Sequence, residues 1–412
     1  MATASGIEKK LILAPQAAQG TVAAAGLATA QYLRRVTSNL SLSKETYQSN
    51  EIRADRQVGD FRHGVRSIDG SIAGELSPGT YQRFVAAILR QAWQTPSTTG
   101  ASILITSAVT SGASGTFTIS GSTPFITAGF KIGDVIRWSG FAAPAAANNA
   151  HNFMITGLTS TVMTGTMLDG VPVVAKAAGD SVTGVVVGKK TWTPVTGHSE
   201  DWFSIEHAYT DIALSETFWD CKVNSAAFKL PASGISTVDF GIMGLNVTNT
   251  ASAGYFTSVL AAATGGVLAS VNGALYVAGT KIALLTGLDF DIAANLSSEG
   301  VVGSNVKPDI FDGRVVIKGN MSVFFENATF RDYFENETEI SINACFTTSN
   351  LPNADFIAFS MPRVKVGGAS KDDGEKGIIQ TMPFVALFNT AGGTTVNTLN
   401  TTLSIQDSLA TI

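Results

Sequence analysis

Apolar and small or polar residues alternate one by one through Ile68, Gly70, Ile72, Gly74 and Leu76. The alternation returns 249 residues later at Ile317, Gly319, Met321, Val323 and Phe325. A period of two is what a strand with one buried face requires. Both runs lead into a helix start: Ser77-Pro78 before Tyr81 and Phe84, and Asn327 before Phe330 and Tyr333. Ser77 is a good N-cap, and Pro78 suits the first helical position. Tyr81, Phe84, Val85, Ile88, Leu89 and Ala92 then form one apolar stripe, with Arg83, Arg90 and Gln91 on the other side. The spacing predicts a helix covering one face of a sheet, closed by Trp93. The second helix is shorter, about 328–335.

Two further matches keep the same order. Phe203-Ser204-Ile205 aligns with Ile340-Ser341-Ile342, and Tyr209 with Phe346, at an offset of 137. The difference, 249 − 137 = 112, is the length present in the first copy and missing from the second. Gly234-Ile235 and Phe240 align with Gly377-Ile378 and Phe384 at offsets of 143 to 144. The pattern predicts a mainly β protein with two tandem β-sandwich or half-barrel units, each flanked by one helix. Two like units in one chain can imitate a dimer within a ring.

The extra length falls at 96–195. Thr116-Phe117-Thr118-Ile119, Val135 to Trp138 after the Gly133-Asp134 turn, Phe153-Met154-Ile155 and Thr161-Val162-Met163 are short strands at about ten-residue spacing. That spacing predicts a small inserted all-β domain, a barrel or sandwich projecting from the body. The first unit then comprises 31–95 and 196–247. A low-complexity stretch at 248–275 reads as a linker loop, and 276–412 as the second unit. Residues 1–30, rich in Ala, Gly and Thr, read as an arm that orders only on a partner.

Residues 44 to 66 carry nine charges of mixed sign, including Lys44, Glu45, Glu51, Arg53, Asp55, Arg56, Asp60 and Arg62. Two readings stand: an ordinary solvated loop, or a docking element between rings or subunits that fixes register through complementary charge. The second copy has a less charged loop at 295–313 in the matching position.

Charged residues make up only 14% of the 412 residues, against about 25% in ordinary soluble proteins. Such a surface suits an obligate assembly better than a monomer. The net charge of −5 argues against a nucleic-acid-binding face. No apolar run is long enough for a membrane helix. The N-terminus lacks a continuous apolar signal core, so folding in a cytoplasm is expected. Cys221 and Cys345 read as two buried thiols, with a disulfide left open.

No catalytic constellation is present. His63, His151, His198 and His207 have no metal-ligand spacing, and phosphate-loop and dinucleotide fingerprints are absent. His207 reads as a surface or interface histidine, and Gly265-Gly266 as flexibility. No cofactor or metal is expected.

Three stretches resemble the major tail tube proteins of long-tailed bacteriophages with non-contractile tails. They are Arg35-Val36-Thr37-Ser38, Asp60-Phe61-Arg62-His63-Gly64, and Gly70 to Pro78. Gly129 to Ile136, Ser139-Gly140-Phe141 and Asn148-Asn149 look like a module of that family, and Thr402 to Ser408 is similar too. The resemblance implies rings stacked into a hollow tube, with sheets of neighbouring subunits joined into a β-barrel that conducts DNA during ejection. The partners it implies are the chain itself, the tape-measure protein and the tail-terminator protein, in the virion tail after assembly in the host cytoplasm. Two units per chain imply a homotrimeric ring with pseudo-sixfold symmetry, the alternative being a homohexamer. DNA must pass without specific binding, so Asp69, Glu75, Asp289 and Asp291 are candidate lumen-facing acids. The inserted domain is left between stiffening and host adhesion. A surface- or carbohydrate-binding β-sandwich protein is the competing reading, resting on Trp138 and Trp192.

Overall fold

The computed structural model describes residues 3–99, 103–120 and 123–412. The chain begins with β1 (Lys9–Pro15), β2 (Gln31–Tyr32), β3 (Thr37–Ser38), β4 (Ser41–Gln48), β5 (Phe61–Glu75) and α1 (Gln82–Leu89). Six strands follow: β6 (Ile103–Ser111), β7 (Ser114–Ile119), β8 (Val135–Ser139), β9 (Phe153–Leu158), β10 (Val162–Met167) and β11 (Ser181–Val186). Next come β12 (Lys189–Trp192), β13 (Phe203–Tyr209), β14 (Leu214–Pro231), β15 (Thr237–Gly244) and β16 (Asn246–Thr250). The rest is β17 (Gly273–Val277), β18 (Thr280–Lys281), β19 (Leu285–Ala293), β20 (Val316–Phe324), α2 (Thr329–Glu335), β21 (Ile340–Thr347), β22 (Phe356–Val366), β23 (Ser370–Lys371), β24 (Ile379–Ala386) and β25 (Ser404–Asp407). The protein is mainly β.

One antiparallel layer runs through the whole molecule. β3 and β4 pair with successive stretches of β5, β5 with β15, and β15 with β14. β14 pairs onward with β19, β19 with β20, β20 with β24, and β24 with the end of β22 and with β23. A second layer packs behind it. There β1 pairs with β13, β13 with β14 and β14 with β16; likewise β17 pairs with β21, β21 with β22 and β22 with β25. The correspondence is strand for strand, so β1, β4, β5, α1, β13, β14, β15 and β16 match β17, β19, β20, α2, β21, β22, β24 and β25. β14 serves both layers because it bends: Asp220 has φ 53 and the register slips between Val223 and Ser225.

A single core spans both units, from Leu11 and Phe84 to Phe290, Phe359 and Ile405. α1 seals one side of the first sandwich, with the Phe84 ring 5.6 Å from Phe203 and 5.1 Å from Phe240. It starts at Gln82, four residues after Pro78, and no side chain caps it. The Ser77 hydroxyl instead meets the Thr80 hydroxyl at 2.6 Å. The Gly79 N–H donates to the Asp407 carboxylate at 2.7 Å. A contact from the last strand of the chain thus fixes the turn that sequence reads as a helix start.

β6 to β11 close into a barrel, in ring order β6–β7–β10–β9–β8–β11. Its core holds Phe117, Phe125, Phe130, Trp138 and Phe153. The barrel is inserted in the first unit but seated on the second: Val135 and Met154 pack with Tyr276, Cys345, Phe356 and Ala358. The Gln406 amide donates to the carbonyls of Val135 and Val187, both at 2.8 Å. Lys131 Nζ donates to the carbonyls of Gly393, Thr394 and Val396 at 2.9, 3.0 and 2.6 Å.

Two stretches differ from their sequence reading. Within 1–30, Lys9–Pro15 is an ordered strand buried on both faces, Leu11 and Leu13 in the main core, Ile12 and Ala14 in a smaller one. Burial on both faces erases the alternation that marks a strand. In 248–275 the chain is anchored, because the buried Glu206 carboxylate accepts the N–H groups of Tyr255 and Phe256 at 2.5 and 3.2 Å. The Gly265 carbonyl accepts from Arg34 at 2.6 Å, and a Cβ on Gly265 would lie 2.2 Å from the Pro78 oxygen. Close backbone approach, not flexibility, is what glycine provides there.

Candidate assembly surface

In the layer that crosses both units, side chains alternate between the core and one open face. Core positions include Ile68, Ile72, Val238, Phe240, Phe228, Phe290, Ile317 and Met321. The neighbours between them form the other face. One cross-strand row on it runs Glu75, Thr237, Lys229, Asp289, Asn320 and Pro383. The next runs Ala73, Asp239, Ala227, Asp291, Lys318 and Val385. Asp69 lies on the same face of β5. All four acids singled out from sequence therefore share one continuous polar surface drawn from both units.

The sequence reading missed Asp239 and three lysines there, Lys229, Lys318 and Lys365. Strand parity would have found them, once β14, β15, β20 and β22 were placed in one layer. Lys229 faces Asp289 and Asp291 faces Lys318 across strands, so the cations are dispersed among acids. Arg314 lines the same hollow as Asp291 and Lys318, so five acids against four cations leave this face with a slight excess of negative charge, 5 − 4 = 1.

Lys44, Glu45, Glu51, Arg53, Asp55, Arg56, Asp60 and Arg62 lie on the β4–β5 hairpin and its tip, all of them exposed. Their contacts are local, Arg53–Asp55 at 2.8 Å and Arg62–Asp60 at 2.7 Å. Exposed pairs of this kind hold little energy, because solvent screens them. The matching loop of the second unit behaves differently, folding back over the first unit. There Asp312 meets Arg90 at 2.9 Å and Lys222 at 3.3 Å. Lys222 Nζ also lies 4.4 Å from the centre of the Trp202 ring, and the Arg66 N–H donates to the Asn305 carbonyl at 2.9 Å.

His207, read as a surface or interface histidine, is buried inside the chain. β1 lies beside it in the sheet, with Leu11 as its cross-strand neighbour; the Phe218 ring packs against it at 5.0 Å, and its Nε2 is 2.7 Å from the Ser38 hydroxyl. Burial, with Lys9 and Arg35 nearby, pushes its pKa down to about 3, so the ring is neutral. His151 pairs with Asp169, a contact across a fold that spacing does not reveal. Cys221 and Cys345 are free and buried, and burial pushes both thiols up. Trp138 lies inside the barrel core and offers no platform for a sugar. Among the described residues no group of three or more His, Cys, Asp or Glu is placed to hold a metal ion, and no helix is long and apolar enough to cross a membrane.

A family model described as phage tail tube protein matches residues 6–386. No curated protein matches the sequence.

Proposed function

The chain belongs to the phage tail tube protein family, and on that premise we propose that each chain supplies two adjacent segments of a ring wall. As a member of that family it is a structural component of the virion tail. Three chains close a ring of pseudo-sixfold symmetry, and rings stack into a tube. The shared layer lines the channel, with its polar face inward and the helices and the inserted barrel outside. The observation that carries this reading is the β14–β19 pairing, which fuses the two units into one sheet and leaves both of its ends open.

Each chain brings eight strand positions to that layer, counting β3 with β4 and β22 with β23. At a spacing of about 4.8 Å and a tilt of about 40°, three chains close a circle roughly 50 Å across the backbone. That leaves an open channel once side chains are added. An excess of carboxylates on the wall repels phosphate, and the dispersed lysines give DNA no continuous track. The exposed 44–66 hairpin reaches the adjacent ring, and the inserted barrel stiffens the wall, since it is pinned to the second unit through Lys131 and Gln406. Tape-measure and tail-terminator proteins meet the tube at its bore and its end.

Negative-stain microscopy of the purified protein tests the reading. Rings or tubes are the expected result; dispersed monomers at micromolar concentration and above would overturn it.

A further inference from the structure

We propose that the β3–β4 edge of one chain pairs antiparallel with the β22–β23 edge of a second copy, in the register that β14 and β19 already hold inside each chain. The inference rests on the ring reading above, and it names the two edges and their alignment.

The internal junction supplies the template. Across it Ser225 faces Ala293, Ala226 faces Ile292 and Phe228 faces Phe290. Repeat positions transfer the template to the chain ends. On β20, Ile317, Lys318 and Met321 face Ile292, Asp291 and Leu288. Their counterparts 249 residues earlier, Ile68, Asp69 and Ile72, face Leu42, Ser41 and Ser38. Positions 287–293 thus match 37–43 at a constant offset of 250, with no insertion. At the other end, Val385 and Phe384 face Lys365 and Val366, as Gly241 and Phe240, 144 residues earlier, face Ser225 and Ala226. In the template Ser225 meets Ala293 and Ala226 meets Ile292. Between chains, Lys365 therefore meets Ser43 and Val366 meets Leu42.

Burial marks the missing partner. Ile292 is 0% exposed and Leu42, its repeat counterpart, is 43% exposed. β4 is exposed along its whole length, and among the described residues β3 and β4 pair with β5 alone. A bare strand edge is a template for another strand, and the only strand geometry shown to fit this position is the one that β14 presents to β19. A second copy of the chain carries its equivalent at β22.

Paired cysteines read the register. In full-length protein carrying Ser43→Cys with Lys365→Cys, or Leu42→Cys with Val366→Cys, mild oxidation of assembled tubes is expected to give covalent dimers and trimers on non-reducing gels. At least one of the two pairs has the close Cα approach a disulfide needs. A slipped pair, Ser41→Cys with Lys365→Cys, and the unmodified protein with buried Cys221 and Cys345 are expected to stay monomeric. Unmodified protein gives a second readout: hydrogen exchange within 38–43 slows at least tenfold on assembly. Tubes that form without cross-links from either matched pair, or with equal cross-linking from the slipped pair, or with unchanged exchange at 38–43, would overturn this pairing and leave the ring reading standing. Absence of rings from the unmodified protein would remove both.

Discussion

Phe228 and Phe290 stack across the junction of the two units, ring centroids 4.9 Å apart and planes 17° apart, and Phe359 closes on both at 5.2 and 5.1 Å. The three rings come from β14, β19 and β22, so the packing that holds the first unit together also holds the second. The seam is a core, not a contact between finished domains.

Phe290→Ala is therefore expected to weaken both units together, by about 3–5 kcal/mol as for buried phenylalanines elsewhere. Chemical denaturation followed by fluorescence and circular dichroism should show one cooperative transition, moved to lower denaturant. Two separated transitions, with the first unit unmoved, would show that the units fold independently.

Much of this architecture was legible in the sequence. Ile68 to Leu76 and Ile317 to Phe325 alternate cleanly because each has one wet face and one dry face. β1 escaped notice because Leu11 and Ile12 are both buried, on opposite sides. The helix start at Ser77 looked complete locally, yet the Asp407 carboxylate, 328 residues away from Gly79, decides the geometry there. The polar face was half legible: Asp69, Glu75, Asp289 and Asp291 stood out as acids in alternating runs, while Lys229 and Asp239 needed the strand order to place them. His207 misled because a polar residue in an apolar strand signals exposure only when nothing packs over that face, and Ser38 of the facing layer does.

Buried neutral His207 makes folding sensitive to acid. Its folded pKa of about 3 lies below the ordinary 6.5, so its stabilising effect is full above pH 6.5 and is lost as pH falls toward 3. Between pH 7 and 4.5 the loss amounts to about 3 kcal/mol. Unfolding free energies of the parent and His207→Gln proteins at both pH values check this. The parent should lose more by that margin, and parallel losses would contradict it.

Asp407 acts in the opposite sense. Burial raises its pKa from 3.8 to about 6, against the Gly79 and Leu409 N–H groups that favour the charged form. A raised carboxyl binds its proton more tightly when folded, so stability falls as pH rises from about 4 to about 6, by roughly 3 kcal/mol. Asp407→Asn should remove this fall, leaving a steeper net rise across the same range in denaturation curves. An unchanged pH profile in the variant would contradict the assignment.

The polar face has its own test. Asp289→Lys with Asp291→Lys changes exposed positions of the shared layer, so folding and assembly should persist. With two charges reversed, a net change of +4 per chain, particles carrying the variant should eject DNA more slowly, and more so at low salt, where phosphate attraction is stronger. Ejection at the parental rate at low salt would argue against a channel lined by this face.

The account stands on two units of one chain occupying consecutive places in a closed wall. End-on class averages of the rings by electron cryomicroscopy, with chains counted from the protruding barrels, test this directly. Three barrels around an inner wall of near-sixfold appearance are expected; six barrels on a sixfold ring would contradict it.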